Sequence, residues 1–489
     1  MPLSAKSIVL SNDVTEYQHQ ATLVRGLDGA VLFASINRFA LTLPPEITWY
    51  IFTLCLPDSN FIKPNPSTAP LLLCRICRLW RFLALSTPKL WASLYIDLDW
   101  FSCWSSDYES DEEEEVEGTR DELEGRLELD TFLCDWISNA GHEPLSIRVE
   151  GATDTKTSYL GSAGQVGSLL SMIGKRAEQW HKMVFLSSSA CFRSMLPLDF
   201  VACPSLEQLI LPEIRFSETP WMLDLPWGQL TCFRTAKISV LDCLHVLRHG
   251  RRLLDCSFSL CRDVLLPIAY LPPLNLQVLE ITDTTTEFLA LTLLQYLTLP
   301  SLKRFALKSD GPRHTHRDVS RLIAFASRSS FCLDTLTLCL MPVPEALLTC
   351  ALHAFPSVAH LKLQLRQPTD DLIRHFRYDV DLLPHLQSLH IVQNLPCPHP
   401  SCPDPVALIK MLASRWEITL NPRVVRKTKL LSFQFSHSQP PSKSMKDFTN
   451  TLRRHELFCL LEEAGMELEL GGTDSSSNWI VSHSALNYN

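Results

Sequence analysis

The sequence predicts an α/β solenoid, with parallel strands on one side and helices on the other, preceded by a small three-helix module. Three observations predict it. Apolar triplets recur at near-equal intervals through most of the chain, proline-punctuated apolar stripes stand together near its start, and 489 residues are too many for one ordinary core. Thirty-two prolines add that the elements are short and often broken.

Residues 1–42 carry apolar residues at helix-compatible spacing, among them Val31, Leu32, Phe33 and Ile36, and are expected to form a weak helix. Pro44 and Pro45 then sit where a helix starts, and Ile47, Ile51 and Leu54 follow at i, i+4 and i+7, as in a short amphipathic helix. Pro57 to Pro70 holds four prolines together with Asn60 and Asn65, and reads as a loop. Beyond it Leu73, Ile76, Cys77, Trp80 and Ala84 make one apolar stripe of a second helix, with Arg75, Arg78 and Arg81 on its other faces. Thr87 before Pro88 reads as the N-cap of a short third helix carrying Leu90 and Trp91. The module, residues 43–96, is near the lower size limit for independent stability, so a partner's surface would help it.

Leu43-Pro44-Pro45-Glu46-Ile47, then Ile51-Phe52, Ile76-Cys77-Arg78-Leu79-Trp80-Arg81 and Leu85-Ser86-Thr87-Pro88-Lys89-Leu90-Trp91, in this order, resemble an F-box of the kind common in mushroom-forming fungi. The resemblance implies three helices that dock on a Skp-type adaptor and through it on a cullin-RING ubiquitin ligase. Carried over by position, Leu43, Pro44, Ile47, Ile51, Ile76, Cys77 and Trp80 would be the adaptor-binding residues, and Trp91 would close the module's own core. Packing inside the module is the competing role for Ile76 and Trp80, since both roles call for large apolar side chains.

Residues 97–142 are expected to be an acidic linker and a helix. Asp107 to Glu117 is a block of like charge that repels itself and stays solvated, and Ser110 within it is a candidate phosphorylation site.

The array is assigned to residues 143–470. Its apolar triplets, spaced three and then two, are Trp180/Met183/Phe185, Leu206/Leu209/Leu211, Leu253/Cys256/Phe258, Leu276/Leu279/Ile281, Leu302/Phe305/Leu307, Leu333/Leu336/Leu338, Val358/Leu361/Leu363 and Leu386/Leu389/Ile391. A further copy starts at Leu230 and Phe233 and ends in Thr235. Successive starts lie 26, 24, 23, 23, 26, 31, 25 and 28 residues apart, close to a leucine-rich-repeat period. In a strand the second and third members point to one side, and the first enters the same core from the preceding turn. Pro144 to Val149 suggests an early strand, Leu430/Phe433/Phe435 a late one, and Met466 to Leu470 the last, after a helix over Lys446 to Ala464. Asp318–Ser327, Pro344–Ala354 and Pro405–Ala413 have helical periodicity and can cover the outer side. Only Cys261 and Asn394 fit the Asn/Cys position usual after such triplets, so other groups must hold the turns. Glu207, Gln277, Lys303, Asp334, Lys362 and Gln387 are candidates for the exposed concave face, and residues 471–489 for a disordered tail. The competing architecture is an ordinary α/β domain with recurrent strand starts.

A net charge of -9 disfavours a general nucleic-acid binder. Arg75, Arg78 and Arg81 interrupt the richest apolar run, so no membrane span is expected, and the opening residues lack a secretory pattern. Seventeen scattered cysteines without an N-x-Ser/Thr sequon fit a reducing intracellular compartment, cytoplasmic or nuclear. Cys74/Cys77 and the Cys397/His399/Cys402 group each lack the second pair that a closed zinc site needs. His314 and His316 read as loop residues, and Gly161, Gly164 and Gly167 are wrongly spaced for a dinucleotide loop. No nucleotide or hydrolase signature occurs. The expected function is a non-catalytic adaptor without cofactor or metal, joining a ligase to an unidentified protein substrate. The alternative is an interaction scaffold with no ligase.

Overall fold

The computed structural model describes residues 43–97, 131–151, 173–187, 203–213, 225–261, 271–283, 285, 289–309, 319–340, 344–365, 369–379, 381–393, 403–416, 428–437 and 443–473. The expectations for residues 1–42, the acidic block with Ser110, Gly161, Gly164, Gly167, His314, His316, the Cys397 group and residues 474–489 lie outside them. The chain divides into two compact units, Met1–Leu198 with Cys203–Ser205, and Asp199–Ala202 with Leu206–Asn489.

In the first unit α1 is Pro45–Leu54, α2 Leu71–Ile76 and α3 Arg78–Leu85. Proline at the first position, where no N–H is needed, and Glu46 in the first turn set the start of α1. The stripe expected as one helix is broken. Cys77 is extended (φ -158°, ψ 169°) and its Sγ accepts the Trp80 N–H, so it ends α2 and caps α3. Arg81 Nε donates to the Cys74 carbonyl across the break at 2.8 Å. The expected third helix is a single 3₁₀ turn, Pro88–Leu90. The Thr87 hydroxyl does not cap it but donates back to the Leu83 carbonyl.

Strands β1 Ser93–Asp97, β2 Leu145–Gly151 and β3 Trp180–Ser187 follow, each parallel to the next. Parallel pairing therefore begins inside the span assigned to the helical module, ahead of residue 143. Leu94, Ile147 and Met183 share one rung, Ile96, Val149 and Phe185 another, and all six are buried. The proline-rich loop is tied to β1, with Tyr95 N donating to Ile62 O and Ser93 Oγ to Asn60 O.

The second unit repeats one motif. Its strands are β4 Gln208–Glu213, β5 Cys232–Ile238, β6 Asp255–Leu260, β7 Val278–Asp283, β8 Arg304–Ser309, β9 Thr335–Leu340, β10 His360–Leu365, β11 Ser388–Gln393, β12 Ser432–His437 and β13 Glu467–Thr473. Each is parallel to its successor. The triplet residues of this unit stack in register, from Leu209, Phe233 and Cys256 through to Phe433 and Leu468, and no member of a triplet from Leu206 to Phe435 is more than 3% exposed. This alternation, one face buried at every second residue, is what fixes the register. Helices α4 Val240–His249, α5 Leu289–Gln295, α6 Ser320–Ser329, α7 Glu345–His353, α8 Asp370–Tyr378 and α9 Pro405–Trp416 stand between strands, each in contact with the next. The expected helix over 446–464 is two, α10 Lys443–Arg454 and α11 Glu456–Glu463, divided at His455, whose ring accepts the Leu457 N–H. β13 takes in residues 471–473 of the expected tail.

Turns are held by particular side chains. Asp283, fully buried, accepts from Thr285 N and Oγ1 and from Ala290 N, so one carboxylate closes the β7–α5 turn and caps α5. Arg328 donates to the carbonyls of Leu294 and Leu297, tying α6 to the end of α5. Arg415 plays the same part three helices on, in α9, donating to the carbonyls of Phe376, Leu382 and Leu383.

Candidate docking face on the N-terminal helices

The first unit's helices bury few residues. Only Thr48 and Phe52, at i and i+4, are buried on α1, only Leu73 on α2, and Leu83 with Ala84 on α3. Phe52 meets Trp80 with ring centroids 5.0 Å apart, joining α1 to α3. Trp91 is 3% exposed; its Nε1 donates to Ala84 O at 2.9 Å, and its ring stands edge-on to Trp136. The module thus has a small aromatic core.

What remains of its apolar content faces outward. Ile47 (47% exposed), Tyr50 (64%), Leu54 (67%), Ile76 (53%) and Phe82 (68%) are joined by Trp49, Ile51, Leu72, Leu79 and Leu85. These ten lie on three helices, α1 and α2 each packing on α3, and they make up most of the exposed large apolar side chains among the described residues. On α1 the Ile47/Ile51/Leu54 stripe is the outer face rather than a core face, because Thr48 and Phe52 are the residues turned inward. An outer face this apolar is a marker of a partner site.

The sequence-derived positions separate into two groups. Ile47, Ile51 and Ile76 are exposed, as is Pro44, while Leu43 is half-buried. Trp80 and Cys77 are half-buried and have structural tasks, Trp80 against Phe52 and Cys77 as the α3 cap. Sequence reasoning missed Tyr50, Leu72, Leu79, Phe82 and Leu85. The signal was present in α3, where Leu79, Phe82 and Leu85 widen the apolar arc well beyond the buried Leu83 and Ala84; a helix apolar around most of its circumference needs cover on more than one side.

Arg75, Arg78 and Arg81 are exposed on the same helices. The Cys74 thiol is pushed up by burial, with Arg81 pulling the other way, so its thiolate is suppressed. No cluster of three or more His, Cys, Asp or Glu suited to a metal occurs among the described residues, and no described helix is long and apolar enough to cross a membrane.

The array's strand face is mainly polar, with Ile210, Val278, Ala306, Cys339 and Val392 among its outward positions. Glu207, Gln277, Lys303, Asp334 and Gln387, expected on that face, instead immediately precede their strands. Their backbone carbonyls there take two N–H groups each from the next repeat, as Gln277 O does from Lys303 and Arg304. Lys362 does lie on the face, at the position between the two buried leucines of β10. In the first unit Tyr95 donates to Glu150, itself paired with Arg148; burial and then this carboxylate push the phenol up to about 12.

No protein-family model matches the chain, and no curated protein matches it significantly.

Proposed function

We propose that the chain is a substrate-recognition adaptor of a cullin-RING ubiquitin ligase: α1 to α3 act as an F-box docking on a Skp-type adaptor, and the repeats bind a protein substrate. The observation that carries this reading is the outward apolar face of α1 to α3, on helices whose motif order resembles an F-box. Burying such a face on a partner's helices is the helix-in-groove mode of recognition. The parallel repeat array supplies the second requirement, a strand face on which a substrate could be held. Ubiquitin transfer would then gain from proximity, with the reacting groups supplied by other subunits.

The test is co-purification of a Skp-type adaptor with the full chain and with variants. Ile76→Asp and Phe82→Asp, at side chains more than half exposed, should abolish capture while leaving the thermal transition in place. Trp80→Ala is a poorer test because Trp80 packs on Phe52. Capture that survives both exposed substitutions sinks the docking reading. If the intact chain never captures the adaptor, the ligase-free scaffold is the reading that stands.

A further inference from the structure

The turn that leads from α4 into β6 carries a cluster of cations. Arg248 and His249 close α4, Gly250 follows, and Arg251 and Arg252 come next, with every side chain of the four exposed. His245 stands one helical turn earlier, its ring 4.2 Å from that of His249.

The backbone under these side chains is fixed. Gly250 N donates to Val246 O at 2.7 Å and Leu253 N to Gly250 O at 3.1 Å, so Arg251 and Arg252 are the two corner residues of a tight turn. A Cβ at Gly250 would collide with Leu253 Cδ1 and stand 2.9 Å from Val246 O, so the turn needs glycine there. Leu253 is 3% exposed and Leu254 N donates to Thr231 O at 2.8 Å, which anchors the far side of the turn in the repeat core.

Among the described residues the cluster has no counter-charge. The guanidiniums of Arg248, Arg251 and Arg252 make no hydrogen bond or ion pair there. Residues 225–231 and 271–277, which flank the turn in the neighbouring repeats, hold no acid, and neither does α5, which packs on α4. Of the nearest carboxylates along the chain, Asp242 lies in the first turn of α4, at its other end, and Asp255 is held by Arg234 at 2.8 Å. Cations suit the negative end of α4, yet none of the three guanidiniums donates to its last carbonyls, so their donors stay open. Like charges gathered on one rigid turn repel one another, and a bound anion removes that cost.

We infer that the Arg248–Arg252 turn docks an anionic segment of a protein partner, its three guanidiniums receiving a phosphorylated side chain or two neighbouring carboxylates. Both sources offer several anionic oxygens in a small space, which guanidinium forks match better than any other side chain. A nucleic acid fits less well, because Arg248 to Arg252 is too short a stretch to follow a phosphate backbone and a net charge of -9 repels a long polyanion. A membrane surface fits less well because the basic segments that bind it carry about four to eight Lys or Arg. The inference goes beyond the adaptor reading and needs no ligase component.

The experiment uses the full chain and fluorescence anisotropy with labelled peptides of one length, carrying one phosphoserine, two adjacent Glu, two adjacent Lys, or no charge. Expected is binding of one or both anionic peptides, weakening as salt rises from about 0.05 to 0.3 M, with the tighter one identifying phosphate or carboxylate as the source. Arg248→Gln/Arg251→Gln/Arg252→Gln should weaken it roughly tenfold or more and keep the parent's thermal transition, while Lys410→Gln, exposed on α9, should leave it unchanged. If the triple variant does not keep that transition, Arg251→Gln and Arg252→Gln singly take its place, each with a smaller loss in the same direction. The measurements are repeated on a chain in which the acids of 107–117 are replaced by their amides, which removes competition from the protein's own acidic block. Equal binding of the uncharged or lysine peptide, binding unaffected by the arginine variants, no anionic peptide bound by either chain at millimolar concentration, or tighter binding of a short oligothymidylate or of phosphatidylserine vesicles each overturns the inference. Adaptor capture plays no part in these readouts, so failure of one reading leaves the other intact.

Discussion

The helices between Pro45 and Leu85 and the repeats from Leu206 onward are rich in the same large apolar residues, yet they spend them differently. In the repeats a triplet's three members all enter one interior, and the helices between strands cover it from the other side. In α1 to α3 the core is closed by a few residues, chiefly Phe52, Leu73, Leu83, Ala84 and Trp91, and the rest point outward. The difference teaches that apolar content measures folding only where neighbours exist to receive it. A repeat inside the stack has a neighbour on each side, and a fifty-residue helical module does not.

The comparison can be broken most forcefully in the repeat core. Phe258→Ala, at a fully buried ring of β6, should cost about 3 to 5 kcal/mol in chemical denaturation through lost burial and a residual cavity. A loss below 1 kcal/mol would mean that the stacked rows carry much less stability than their burial implies.

Arg415→Met should follow, at about 2 to 4 kcal/mol, because it keeps an apolar stem but leaves the carbonyls of Phe376, Leu382 and Leu383 without their donor. Burial brings this guanidinium down only to about 10, so it stays charged at neutral pH and the loss should not vary between pH 6 and 8.

On the helical face the same measurement should hardly respond. Phe82→Ala, at a ring 68% exposed, is expected to change stability by no more than about 0.5 kcal/mol, against the several expected at Phe258. A loss like that of Phe258 would show that the ring is part of a core and remove it from the docking face.

The smallest effect is a pH dependence in α4. His245 is held below 6.5, the usual imidazole value, first by burial and then by the neighbouring His249 and Arg248. Between its folded and unfolded values the unfolded chain binds the extra proton. Stability therefore falls as pH drops through 6.5 and is recovered above it. His245→Gln should flatten that slope slightly in thermal melts at pH 5.5 and 7.5.

Much of this was legible. The triplet spacing located the strands from β4 to β12 because period-two alternation and one-sided burial are the same fact seen in sequence and in space. Helices α6, α7 and α9 were legible from their periodicity, with ends displaced by a few residues. The break at Cys77 was not, since a periodic stripe across a helix–turn–helix looks continuous when the turn residue is itself apolar. β1 was missed although Trp91/Leu94/Ile96 has the same three-then-two spacing, because Trp91 was assigned to the helical module; the strand pairs with one some fifty residues on.

The sequence by itself determined that this protein is a repeat of parallel strands and helices with a separate apolar, proline-marked helical segment near its start, because local spacing alone specifies which side of each element is apolar. Only the tertiary structure decided which apolar side meets a neighbour. It turned Phe52 and Trp80 toward each other and left Ile47, Ile76 and Phe82 outward. Such choices depend on what lies across the gap, which spacing along a chain does not encode.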